Sequence, residues 1–320
     1  MSHVFVFNGD ADGLCGLQQL RLSGEREGIL VTGVKRDIEL VARVTGAPGD
    51  TCTVLDVSLD VNRTGVLALL DAGVHVRYFD HHFAGEIPAH PNLDAHIDLD
   101  AKVCTSILVD RYLEGRCRAW AAVGAFGDSL REQGRALSAA TGVAGADVET
   151  LEKLGLAINY NAYGETIADL HVPPADLAAE MLGYPDPLQF ANQSATYGRL
   201  AEGFRDDMER ARRLEPARQS PGALVFVLPD LPWARRASGT LANDLAKAHA
   251  GTAIAIVSPK TAGGWLVSVR VPSTSEVSAD AFCRKFPTGG GRRTAAGINH
   301  LPNDQFDSFA TAFEAQFRAG

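Results

Sequence analysis

Carboxylates and imidazoles recur in this chain where short apolar runs stop. Val4 to Phe7 runs into Asn8-Gly9-Asp10-Ala11-Asp12-Gly13, Val54-Leu55 into Asp56, Val76 to Phe79 into Asp80-His81-His82, and Ala121 to Phe126 into Gly127-Asp128-Ser129. If these runs are neighbouring parallel strands, their C-terminal ends share one edge, the usual binding crevice of such a sheet, and the distant residues meet there. Crowded carboxylates raise one another's pKa, a conflict that a divalent cation removes. Oxygen and imidazole donors without thiolate suit Mn²⁺ or Mg²⁺, and leave zinc and cobalt open. One Asp after one strand is ordinarily a helix cap or a turn residue. Four such events at successive strand ends ask for a common cause. Asp10 and Asp12 would point apart in an extended segment, so Gly9 and Gly13 are expected to bend the backbone between them.

The elements that must position these residues are legible in outline. Val4 to Phe7, Thr53 to Val57 and Val74 to Phe79 read as strands. Leu14, Leu17 and Leu20 mark a helix after the first, and a second predicted helix, Asn62 to Ala72, stops at Gly73. Cys104 to Leu113 reads as helix, and Ala119 to Phe126 as strand or buried helix. Such repetition predicts an α/β fold with a mainly parallel sheet and helices on both faces. Residues 131–218 are expected to be a helical segment and linker, with breaks at Tyr184-Pro185-Asp186-Pro187 and across Arg205 to Arg218. Its apolar helices would either cap the first domain or offer a face to a second copy of the chain, a homodimer. From 219 a smaller α/β domain begins, with strands at Leu224 to Leu228, Thr252 to Ser258 and Trp265 to Val271 and a helix from Gly239 to His249. Phe306, Phe309, Phe313 and Phe317 put four rings on one helix face, a core stripe. The catalytic core is therefore expected in 1–130.

Bulk composition narrows the partners. Thirty Lys and Arg against thirty-nine Asp and Glu leave a formal charge of −9, which disfavours a basic track for long DNA or RNA. A short anionic ligand held through metal ions remains open. No apolar run approaches the roughly 20 residues of a membrane-spanning helix, and no signal peptide is visible at the start, so a cytoplasmic protein is expected. Cys15, Cys52, Cys104, Cys117 and Cys283 show neither a zinc-type pair nor a disulfide framework.

The ordered set Asp10-Ala11-Asp12-Gly13, Asp56 in Val-Leu-Asp-Val-Ser, Asp80-His81-His82 and Gly127-Asp128-Ser129 resembles the four motifs of the DHH phosphoesterase superfamily. Gly289-Gly290-Gly291-Arg292-Arg293-Thr294-Ala295-Ala296-Gly297 resembles the GGGHxxAAG signature of the domain that often accompanies it, with Arg292 where the signature has His. The resemblance implies a hydrolase with two divalent ions, most simply Mn²⁺ with Mg²⁺ or Co²⁺ as alternatives, and substrate in a cleft between two domains. Carried over residue by residue, Asp56 would bridge the ions and Asp10 would hold the first. Asp12, His81 and Asp128 would hold the second. Asp80 would orient the neighbouring imidazole, and His82 would face the substrate phosphate. Complete family sites also have a His upstream of the first Asp; here Val6 and Asn8 lie nearby, and the Asn8 amide oxygen is the substitute ligand. In the second domain Gly289, Gly290 and Gly291 would let backbone N–H groups approach a phosphate, with Arg292, Arg293 and Arg270 as charged contacts.

The function this implies is a phosphodiesterase of the oligoribonuclease (nanoRNase) or dinucleotide type. It would cleave short linear nucleotides such as pGpG, pApA or RNA fragments of a few residues to nucleoside monophosphates. A phosphatase acting on a mononucleotide or small phosphorylated metabolite is the alternative, and a nucleotide-binding regulator with a degenerate site is a third reading.

Overall fold

The structure is a computed structural model, described here for residues 1–25 and 27–318. It divides into two units, residues 1–203 and 204–320. In the first, β1 (His3–Phe7), α1 (Ala11–Leu22), β2 (Ile29–Thr32), β3 (Thr51–Leu55), α2 (Leu59–Asp71), β4 (His75–Asp80) and β5 (Leu93–Ile97) build a five-stranded sheet in the order β2-β1-β3-β4-β5. Every pair in it is parallel.

Strand alternation sends side chains to two cores. Phe5, Phe7, Leu55 and Phe79 pack on one face with α1 and with α3 (Thr105–Tyr112), α4 (Arg118–Gly127), α5 (Arg131–Ala140), α6 (Ala146–Asn161), α7 (Pro174–Met181) and α8 (Pro187–Gln193) nearby. Val4, Val6, Cys52, Val54, Val76 and Tyr78 pack on the other with α2. The α/β layering with helices on both faces is thus observed.

One open reading is settled and another is corrected. Ala119 to Phe126 is the helix α4, and since every residue from Trp120 to Gly127 is buried, no polar face remained to give it a helical period. The charged stretch expected as a connector is helical as far as Ala211, in α9 (Ala195–Ala211). There Phe204, Met208 and Ala211 form an apolar stripe at +4 and +3 spacing, and the charges occupy the rest of the surface.

The second unit carries β6 (Arg218–Ser220), β7 (Ala223–Val227), α10 (Pro232–Ala248), β8 (Ala253–Pro259), β9 (Trp265–Arg270), α11 (Ala279–Cys283), β10 (Gly289–Gly291), β11 (Ala295–Leu301) and α12 (Phe306–Gln316). Its sheet runs β10-β11-β9-β8-β7-β6 and is antiparallel except for β7 with β8. The phenylalanine stripe is core: Phe309, Phe313 and Phe317 surround Phe282 with ring centroids 5.9, 5.5 and 5.4 Å away. Among the described residues no helix is long and apolar enough to cross a membrane.

Candidate metal centre

The C-terminal edge of the first sheet holds the site because ladder hydrogen bonds continue past the strands. Asn8 N donates to Leu55 O at 3.2 Å, Asp56 N to Phe79 O at 3.0 Å, and Asp98 N to Asp80 O at 3.2 Å. These bonds fix Asn8, Asp56 and Asp80 in a row along one edge. Asp56 sits there with φ of +59°, a left-handed backbone uncommon for a residue other than Gly and costly unless its surroundings hold it.

Asp10 and Asp12 reach the edge through helix α1. Asp10 is its N-cap, and its Oδ1 accepts from Asp12 N and Gly13 N, both at 3.1 Å. Asp12 lies within the first turn. Gly13 is needed for that turn, since a Cβ there would stand 2.2 Å from Asn8 O.

The Asp12 carboxylate, 1% exposed, is held by the N-terminus of α3: Thr105 N donates to Oδ2 at 2.7 Å and Ser106 N to Oδ1 at 2.8 Å. Thr105 Oγ1 also donates to Asp56 Oδ1 at 3.3 Å. Thr105 and Ser106 escaped the sequence reading, although a Thr-Ser pair opening a predicted helix was a usable signal.

Asp128 caps the C-terminal end of α4 rather than a strand. Burial and the nearby Asp12 and Asp10 charges push its pKa up to about 7. The negative end of the helix is also an adverse place for a carboxylate.

Around His81 these groups converge. Its Nε2 lies 3.4 Å from Asp56 Oδ1 and 3.9 Å from both Asp12 Oδ2 and Asp128 Oδ2. Ligand atoms of Asp12, His81 and Asp128 fall within 4.8 Å of one another, as do those of Asp56, His81 and His82. The separations from His81 exceed or border on hydrogen-bond length. They match donors around one small dication with bonds of about 2.1 Å, which stand roughly 3 to 4 Å apart. Burial, together with the charges of Asp10 and Asp12, holds the Asp56 carboxyl well above the usual carboxylate range. The donor set around His81 therefore fits a divalent ion.

His82 Nδ1 is 2.7 Å from Asp80 Oδ1, so the imidazole that Asp80 orients is His82. That hydrogen bond, against burial and with the Asp80 charge, raises the His82 pKa.

Asp10 has a different partner. Lys35 Nζ forms an ion pair with its Oδ2 and lies 3.2 Å from Asn159 Oδ1. Burial alone would raise the Asp10 pKa, but the Lys35 charge and hydrogen bond, a hydrogen bond with the Asp56 carboxyl and the Gly13 N–H hold it below the ordinary value. Burial likewise opposes the Lys35 charge, and Asp10 more than offsets it, raising the lysine pKa. Asn8 donates from Nδ2 to Lys35 O at 3.3 Å, and its Oδ1 is buried with no hydrogen-bond partner. Lys35 and Asn159 were not singled out by sequence. A lysine just past β2 looks like a surface residue unless β2 is recognised, which would place it on the same sheet edge.

Asn8, Asp10, Lys35, Asp56, His81, His82 and Asp128 line a cleft of about 180 Å³. Ordinary ligand pockets span ~300–1,000 Å³, so this cleft is a small one.

In the second unit the triple glycine is an edge strand rather than a flexible turn: Gly289, Gly290 and Gly291 pair with Ile298, Gly297 and Ala296. A Cβ at Gly289 would stand 1.9 Å from Cys283 O, which explains the residue type by packing alone. Arg292 is exposed, Arg293 Nη2 donates to Ser275 O at 3.1 Å, and Arg270 Nε donates to Asn243 Oδ1 at 2.9 Å.

No protein-family model matches the sequence, and no curated protein matches it. Solved structures do. RecJ from Thermus thermophilus in complex with Mn²⁺ superposes with a TM-score of 0.67 at 20% identity, over 98% of this chain and 51% of that one. This chain thus spans about half the length of the Thermus protein. An exonuclease RecJ bound to manganese gives 0.61 at 18% identity, covering 98% and 89%. The pGpG-specific phosphodiesterase PggH from Vibrio cholerae gives 0.56 at 13%, covering 99% of both chains. The fold is shared with these RecJ and PggH structures. In this chain the fold gathers Asp12, Asp56, His81, His82 and Asp128 at one sheet edge, and Asp80 beside them.

Proposed function

We propose that the chain is a metal-dependent phosphodiesterase that hydrolyses short linear nucleotides, such as pGpG, pApA or RNA fragments of a few residues, to nucleoside monophosphates. The observation that carries this reading is the convergence of Asp12, Asp56 and Asp128 on His81 Nε2. Asp12, His81 and Asp128 would hold a divalent ion beside Asp56, with Mn²⁺ first and Mg²⁺ or Co²⁺ as alternatives. A bound dication there polarises a phosphoryl oxygen and lowers the pKa of bound water.

The chain's own groups supply the rest. Asp12 is immobilised by the α3 amides and cannot swing away from the centre. His82, with Nδ1 on Asp80 and 48% of its side chain exposed, would in its protonated form donate from Nε2 to a phosphate oxygen or a leaving group. The narrow cleft favours a phosphate linkage, and the net acidity disfavours long polyanions. The manganese in the RecJ structures and the pGpG specificity in the PggH name support the same ion and substrate class. Arg270, Arg292 and Arg293 are proposed as contacts to a substrate phosphate.

The test is a product-resolved assay of pGpG, pApA and two- to five-residue RNA with Mn²⁺. Release of nucleoside monophosphates, abolished by chelation and restored by Mn²⁺, is expected. Release of inorganic phosphate instead would assign a phosphatase, and tight binding without turnover would assign a regulator.

A further inference from the structure

The place that the resemblance reserves for a first metal ion, beside Asp10, is taken by a lysine. Lys35 Nζ is ion-paired with Asp10 Oδ2, hydrogen-bonded to Asn159 Oδ1 at 3.2 Å, and 5.6 Å from the centre of the Tyr163 ring. Its backbone is fixed on both sides: Lys35 N donates to Ala162 O at 2.9 Å, and Lys35 O accepts from Asn8 Nδ2 at 3.3 Å. Asn8, the candidate substitute ligand, holds the lysine through its amide nitrogen and keeps its Oδ1 buried without a hydrogen-bond partner. Neither of the two converging donor sets includes Asp10.

We propose that Lys35 is a built-in cation in place of the first metal ion, so that the centre takes one divalent ion, on Asp12, His81 and Asp128. The inference rests on the metal-dependent reading above. An ammonium is a compact point charge with three N–H donors. Two of them meet Asp10 and Asn159, which neutralises the carboxylate and repels a second dication. The third has no partner among the described residues, while Lys35 lines the cleft with 27% of its side chain exposed. It is available to a phosphate oxygen of the substrate, the work a first metal ion would otherwise perform.

Counting ions decides the matter without any assay of activity. Native mass spectrometry and calorimetric titration of the wild-type chain with Mn²⁺ are expected to give one ion per chain, and electron paramagnetic resonance a mononuclear Mn²⁺ signal. Two ions per chain, or an exchange-coupled pair, would overturn the role of Lys35 and leave the metal-dependent reading standing. No bound ion would overturn both, so the two failures are distinct. Lys35→Met should raise KM for a dinucleotide roughly tenfold or more, the value of a lost charge-assisted hydrogen bond, and Lys35→Arg should keep a stoichiometry of one. An unchanged KM in Lys35→Met, or two ions in Lys35→Arg, would count against the proposal.

Discussion

Nδ1 of His82 stands 2.7 Å from Oδ1 of Asp80, whose other oxygen is buried with no hydrogen-bond partner. The imidazole is thus tied to a carboxylate that has little else to bind, and the hydrogen bond lifts the histidine above its ordinary value of 6.5. Protonated His82 therefore stabilises the fold fully below that ordinary value, and the contribution fades as pH rises through the folded value. In the metal-free protein, Asp80→Asn should move the His82 titration, followed by imidazole NMR signals, down towards 6.5. A titration that does not move would show that the pair has no electrostatic consequence.

Asp56 is a buried acid in a strained backbone at the meeting point of the donors. Asp56→Asn keeps a side chain that tolerates φ of +59° and removes a carboxyl that burial and its neighbours disfavour. Turnover should drop by at least about a hundredfold and Mn²⁺ affinity with it. The melting temperature of the metal-free protein at about pH 8 should equal or exceed that of the wild type, because the variant has no buried charge to accommodate. Calorimetric Mn²⁺ titration and thermal melts check both halves, and wild-type turnover in this variant would remove Asp56 from the centre.

Asp128 sets a pH dependence with a definite sign. Its folded pKa of about 7 lies above the ordinary 3.8, so the native state holds the proton more tightly than the unfolded chain. The associated stability is present in full below 3.8 and is lost as pH rises through about 7. Metal-free protein should therefore lose melting temperature between about pH 5 and about pH 8 through this group, and Asp128→Asn should flatten that slope. Because Mn²⁺ displaces the proton, its apparent affinity should climb with pH and level off above about 7.

On the second unit, Arg292 is exposed and makes no side-chain hydrogen bond or ion pair among the described residues. Arg292→Ala should raise KM for pGpG roughly tenfold while leaving the Mn²⁺ dissociation constant unchanged. Steady-state kinetics with a parallel metal titration separate the two, and an unaltered KM would remove Arg292 from substrate binding.

The legible part of the centre came from elements with strong periodicity. β1, β3 and β4 are apolar strands in the middle of a parallel sheet, so their ends, and the acids on them, stood out. β2 and β5 lie at the sheet edges with half-exposed side chains, Ile29 and Asp94 among them, and left no comparable pattern. Losing β2 hid Lys35, and with it the partner of Asp10. Asp128 was found by its position after an apolar run whose element stayed open between strand and helix, because a helix buried all round resembles a buried strand. The Asp12 contacts with Thr105 and Ser106 join positions 93 and 94 residues apart, which local pattern does not report.

The donors of the centre are spread from Asp12 to Asp128, with α4 completing the set. A chain emerging from the ribosome therefore cannot load its ion until that helix has been made and docked. On the proposed reading, hydrolysis is in this way withheld from every nascent form that ends before α4.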